Sequence, residues 1–181
     1  MVSQKYRIDW IGRSIKYDKK DINTVCRVLT KSNTLTQGVY LEKFETKVKK
    51  YLNVKNVYGV TSGASALELA ALSLGLKKND EIIVPAHTYC ATIMPFCRYN
   101  VKIVWADIDL ETRNISIRSV KSLITKKTKA IIGVHLYGLP CEINELQKIC
   151  KRKKIVLIED CAQSFGASIN NKKVGTFGDI A

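Results

Sequence analysis

The sequence predicts an α/β protein, a doubly wound and mostly parallel sheet with helices on both faces. Two observations predict it. From Val57 onward short apolar runs alternate with stretches whose apolar residues recur at helical spacing. The runs are rich in Val and Ile, as strands buried on both faces of a parallel sheet require. Right-handed crossovers join such strands.

Before that alternation, residues 1–56 form an N-terminal helical segment. Ile22, Val25 and Leu29 predict a helix over 21–29, and Phe44, Val48 and Tyr51, with Leu41 just before, predict another over 42–51. Between them SNTLTQGVY is a polar loop carrying Gly38. No repeat, low-complexity tract or Gly/Ser linker separates this segment from residues 57–181.

A strand over 57–60 then leads through Thr61, Ser62 and Gly63 into a helix over 64–74. Leu67, Ala70, Ala71 and Leu74 share one face of it, and Gly75 supplies a stop. The small residues at its start leave the backbone N–H groups of Ala64 and Ser65 open to a phosphate, which the helix dipole favours. The Ser62 and Ser65 hydroxyls add possible side-chain bonds, although Thr and Ser before a helix also serve simply as caps. The segment is not a Walker loop, which ends in Gly-Lys-Ser/Thr. Nor is it a nucleophile elbow, since Leu67 stands where that motif needs glycine.

The next unit repeats the design in EIIVPAHTYCATIMPF: a strand over 81–84, a break at Pro85, a loop, and a helix over 92–99. Tyr89 falls near the carboxyl end of its strand, where an aromatic side chain either lies against a heteroaromatic ring or packs over the sheet edge. Strands follow over 102–106, 130–135 and 155–158, with helices over 119–124 and 143–151. The last strand runs into Glu159 and Asp160, with Gln163 three residues on. In open α/β sheets ligands sit beyond the carboxyl ends of the strands, so Asp160 is a cofactor acid or else an ordinary turn acid or helix cap.

Composition narrows the classes. The chain has 181 residues, 46% of them hydrophobic, enough for about one domain with a sizeable core. The start MVSQKYRIDW is polar, without the apolar core of a signal peptide, and no run reaches the ~20 residues of a membrane span. A soluble, cytoplasmic protein is expected. The six cysteines form no CxxC pair and only His87 and His135 stand beside them, so they read as buried or half-buried thiols in a reducing compartment, with no metal site. The net charge of +14 suits nucleic acid or a diphosphate substrate, but reads foremost as solvated helix faces. No aromatics interleave the basic runs, which disfavours a nucleic-acid groove.

GxGxxG follows none of the strands, which disfavours a nicotinamide or flavin site. A helix N-terminus, an aromatic side chain and a carboxylate together fit a cofactor with one phosphate, one flat ring and one basic ring nitrogen. Pyridoxal 5'-phosphate meets all three requirements. An aspartate beside the pyridine nitrogen favours its protonated form, which is the electron sink of that chemistry.

The segments LTQGVYLEKFE, VTSGASALELA, DEIIVPAHTYCAT, VWADIDLETRNIS, VHLYGLP, VLIEDCAQSFGA and VGTFGDIA resemble the sugar nucleotide aminotransferases of the fold-type I pyridoxal phosphate enzymes, the DegT/StrS group. The resemblance implies a three-layer, mostly parallel sheet, with residues 57–181 a partial cofactor-binding large domain, incomplete at its C-terminus. It implies that Ala64 and Ser65 hold the cofactor phosphate through their amides, that Tyr89 stacks on the ring, that Asp160 pairs with the pyridine nitrogen and that Gln163 lies near the ring hydroxyl. Ala64 departs from the threonine common there, which removes a side-chain phosphate bond. His135 in VHLYG falls in a family motif and is expected only to shape the floor of the site.

The family's Schiff-base lysine follows a CFSF-like stretch shortly after GDIA, beyond Ala181. No catalytic residue is therefore named, and the chain alone is expected to be inactive. The implied activity of an intact relative is transfer of an amino group from L-glutamate to a nucleotide-linked keto-deoxysugar by a homodimer. The alternatives are a pyridoxamine phosphate-dependent sugar dehydratase of the same family, an inactive remnant or a binding module.

Overall fold

A computed structural model describes residues 17–32, 34 and 36–181. The polar start MVSQKYRIDW lies outside the described residues, as does part of the loop around Gly38. The chain divides into two units, Met1–Lys47 and Val48–Ala181.

In the first unit α1 (Lys19–Lys31) begins on a reciprocal cap. Asp21 N–H donates to Asp18 Oδ1 at 2.8 Å, and Asp18 N–H donates back to Asp21 Oδ2 at 3.0 Å. Two of the N–H groups that every helix start leaves over are thereby satisfied. α2 (Val39–Leu52) carries the chain across the boundary between the units.

The second unit holds α3 (Gly63–Ser73), β1 (Glu81–Pro85), α4 (Met94–Cys97), β2 (Lys102–Ala106), α5 (Ile117–Leu123), β3 (Thr128–Val134), α6 (Ile143–Lys153) and β4 (Val156–Asp160). The four strands form one sheet in the order β2-β1-β3-β4, every neighbouring pair parallel. Alternation along the strands feeds two cores, because successive side chains leave opposite faces. Ile83, Ile131 and Leu157 pack with Val120 of α5 and Ile143 and Leu146 of α6. Ile82, Val84, Ile132 and Ile158 pack with Leu67, Ala70 and Ala71 of α3 and Phe96 of α4. The expected three layers are present, and the apolar runs are strands buried on both sides.

Three local expectations are corrected. Residues 57–60 form no strand. The segment belongs to neither described sheet, and its Tyr58 is 77% exposed. The expected helix over 92–99 is split into a short 3₁₀ turn, Cys90–Thr92, and α4. Pro95 has no N–H to give, so it is tolerated only in the first turn of a new helix. Pro85, expected to break β1, is its last residue, in register with Ala106.

A small hairpin of β5 (Ser168–Ile169) and β6 (Lys172–Lys173) follows β4. Asn170 and Asn171 at its tip have φ of 49° and 64°, the left-handed pair that a two-residue hairpin turn demands.

Candidate functional site

The sheet order places β1 next to β3, although β1 and β2 are consecutive in the chain. The chain leaves β1 towards β2 and leaves β3 towards β4, in opposite directions, which opens a crevice beyond the carboxyl ends of β1 and β3. A cavity of about 530 Å³ lies there, lined by Gly63 and Ala64 at the start of α3, Tyr89 after β1, Val134 at the end of β3, and Asp160 and Gln163 at and after the end of β4. That volume is in the range of small-molecule sites. Leu67, Ala70 and Ile158 make its inner wall apolar.

Four of the five expected site residues, Ala64, Tyr89, Asp160 and Gln163, share this cavity. Helix geometry leaves the amides of Gly63 and Ala64 without an intrahelical acceptor, facing an electropositive helix start. Ser65 differs from expectation. Its N–H donates to Ser62 Oγ at 3.1 Å, and its hydroxyl lies 3.0 Å from both Ser62 Oγ and Thr61 Oγ1. Ser62 is thus the N-cap, and the Ser65 amide, expected to be free, is occupied by that cap.

Tyr89 is 70% exposed, and its carbonyl accepts from Thr92 N–H at 3.0 Å, which closes the 3₁₀ turn. Asp160 is half-buried; Oδ2 accepts from Thr92 Oγ1 at 2.8 Å and Oδ1 from Ala162 N–H at 3.1 Å. Gln163 Oε1 accepts from Tyr137 N–H at 2.9 Å, so its two side-chain N–H donors are the part left for a ligand. Tyr137 makes that contact from the left-handed region, φ 52°, which only a surrounding structure that fixes the turn sustains in a bulky residue.

The residue before Asp160 has a different role. Glu159 is 2% exposed and takes hydrogen bonds from the amides of Gly175 (2.9 Å), Phe177 (2.7 Å) and Gly178 (2.6 Å) and from His135 Nε2 (3.1 Å). His135 is fully buried, and its Nδ1 accepts from Cys141 N–H, so the ring proton sits on Nε2 and is given to Glu159. Burial pushes the Glu159 carboxyl up, but the bonds from His135, Gly178, Gly175 and Phe177 outweigh it and hold the group below its ordinary value. His135, Glu159 and Cys161 offer ligand atoms within 4.8 Å of one another. Both Glu159 oxygens are already taken by N–H donors, so Glu159 and His135 form a hydrogen-bonded support.

The cysteines are sheltered only in part. Cys26, Cys90 and Cys97 are exposed, Cys141 and Cys150 are buried, and Cys161 is half-buried. Burial pushes the Cys150 and Cys161 thiols up to about 12 and raises Cys141 as well, which makes these three inert at neutral pH.

Thr92 and Glu159, which the structure ties to Asp160 and to its strand end, are not among the expected site residues. The pair Thr88 and Thr92, four apart in a rim loop, was the available signal for the first, and Glu159 was read only as the neighbour of Asp160.

The model of the DegT/DnrJ/EryC1/StrS aminotransferase family matches residues 16–181. The chain belongs to that family. Among relatives, the GDP-perosamine synthase of Vibrio cholerae is 42% identical over 81% of this chain and 40% of its own length. The GDP-4-keto-6-deoxy-D-mannose 3-dehydratase of Escherichia coli O55:H7 is 40% identical over 91% of this chain and 44% of its own. A solved structure of the E. coli GDP-4-keto-6-deoxy-D-mannose-3-dehydratase with bound hydrated PLP superposes with a TM-score of 0.86 at 38% identity, over 91% of this chain and 44% of that one. The chain thus spans less than half the length of the family members it matches. Among the described residues no helix is long and apolar enough to cross a membrane.

Proposed function

We propose that the protein carrying this chain is a pyridoxal 5'-phosphate-dependent aminotransferase that moves an amino group from L-glutamate to a nucleotide-linked keto-deoxysugar, working as a homodimer. The observation that carries the reading is the cavity itself, which gathers a helix N-terminus, an aromatic side chain, a carboxylate and a carboxamide at the carboxyl ends of parallel strands. These residues fit the cofactor's parts. The amides of Gly63 and Ala64 are suited to its phosphate, with Ser62 as their cap; Tyr89 is suited to the face of a flat ring. Asp160 is suited to a protonated ring nitrogen, because a carboxylate stabilises the charged form of its neighbour. The Gln163 amide is suited to a ring oxygen. The apolar wall of Leu67, Ala70 and Ile158 excludes water from the ring's inner edge.

When bound, the cofactor supplies the electron sink that lets an amino group pass from donor to ketone. In this chain Asp160 maintains the proton on the ring nitrogen, and Glu159 with His135 stiffens the strand end that carries Asp160. The residue that bonds covalently to the cofactor is assigned to no position of this chain.

A second reading is a pyridoxamine phosphate-dependent dehydratase, favoured by the sugar dehydratase that matches at 40% identity, close to the 42% of the perosamine synthase. Full-length protein incubated with cofactor, L-glutamate and GDP- or dTDP-linked 4-keto-6-deoxysugars separates the two. An aminotransferase yields 2-oxoglutarate and a nucleotide sugar that has gained nitrogen. A product that has lost a hydroxyl without gaining nitrogen establishes the dehydratase, and a protein that takes up no cofactor sinks both readings.

A further inference from the structure

We propose that Thr92, with Thr88 behind it, is a positioning residue that sets the orientation and acceptor strength of the Asp160 carboxylate. The proposal rests on the cofactor reading above and extends it to a side chain outside the expected set. Asp160, when ionised, has no proton to give, so the 2.8 Å contact has one possible direction: the Thr92 hydroxyl donates to Oδ2. A hydroxyl has a single proton. The neighbouring 2.8 Å contact between Thr88 Oγ1 and Thr92 Oγ1 must then run from Thr88 to Thr92. The three groups form a one-way chain, Thr88 to Thr92 to Asp160, that ends on the cavity.

Burial gives the chain its force. Thr92 is 1% exposed, so water is not there to replace the bond, and a donor to a charged acceptor is among the stronger hydrogen bonds. With Thr92 on Oδ2 and Ala162 N–H on Oδ1, the carboxylate is held from two sides, and its remaining lone pairs are left for the cavity that Asp160 lines. The same turn that presents the Thr92 hydroxyl also fixes Tyr89, through Thr92 N–H on the Tyr89 carbonyl at 3.0 Å. One short segment therefore sets the aromatic residue and the carboxylate together, across 68 residues of sequence.

The test uses full-length protein and pyridoxamine 5'-phosphate as the probe, since that form is held without a covalent bond. Thr92→Val keeps the shape and removes the hydroxyl. It is expected to weaken pyridoxamine phosphate about tenfold and to shift the bound ring's ultraviolet band towards the unprotonated form. Thr92→Ser is expected to restore affinity to within about twofold and to restore the band, and Thr88→Val to cost about two- to threefold. A folded Thr92→Val with wild-type affinity and band overturns the proposal, as does a Thr92→Ser that loses as much as Thr92→Val.

A wild-type protein that does not bind pyridoxamine phosphate overturns the cofactor reading instead. The contact is then decided in the free protein by a stability cycle between Thr92→Val and Asp160→Ala. Coupling of about tenfold in the unfolding equilibrium supports the proposal, and additive effects overturn it.

Discussion

Glu159 and Asp160 are adjacent carboxylates at the end of one strand, and the structure uses them in opposite ways. Asp160 follows Ile158 onto the α3 face, where it lines a cavity with two hydrogen bonds and spare acceptor capacity. Glu159 follows Leu157 onto the other face and is saturated by three amides and a histidine. The pleat directs the pair, since neighbours on a strand point to opposite sides. One carboxylate is left available for a ligand, and the other ties the 175–178 turn to the sheet.

The largest test of that contrast is Glu159→Ala. It strands the buried Phe177 amide and His135 ring proton and the half-buried Gly175 and Gly178 amides, so a loss of about 3–5 kcal/mol in urea unfolding is expected. A loss under about 1 kcal/mol would show that the turn holds without its anchor.

Acid sharpens the same contrast. The folded-state pKa of Glu159 lies below its ordinary value of 4.5, so the unfolded chain binds more protons as the solution is acidified. This contribution to stability is complete above the unfolded value and drains away as pH falls through the lower folded value. Unfolding midpoints followed below about pH 5 are expected to fall less steeply in Glu159→Gln than in wild type.

Gly178→Ala probes the turn from its other side. A Cβ there meets the Leu157 carbonyl oxygen at 2.7 Å and Glu159 Cγ at 3.2 Å, contacts that force the turn outward. A loss of about 2 kcal/mol is expected, measured by the same unfolding assay, with His135 exchange protection reduced.

Asp160→Asn has the smallest effect on the fold. A change of about 1 kcal/mol or less in stability is expected, because the amide keeps the shape and one acceptor oxygen of the carboxylate and the residue is only half-buried. Under the proposed function, cofactor activation in the full-length protein is expected to fall much more than cofactor retention, since the α3 amides proposed to hold the phosphate are untouched. Full activity in this variant would remove Asp160 from its role.

Much of this was legible in the residues. β2 was expected at its observed bounds, β1, β3 and β4 within two residues, and α3 from the stripe of Leu67, Ala70 and Ala71. The helix start, Tyr89, Asp160 and Gln163 were expected at the strand ends, and the structure brings them to one cavity. What failed depended on partners. Residues 57–60 have a strand's composition but join neither described sheet, and the Ser65 amide went to the Ser62 hydroxyl.

By itself the sequence determined the alternation of strand and helix, because the period of apolar residues is a local property that decides which faces must leave water. Only the tertiary structure decided the order β2-β1-β3-β4, the donor that holds Asp160 and the fate of Glu159. Those are contacts between residues 16 to 68 apart in the chain, and their hydrogen-bond geometry exists only once the strands have paired.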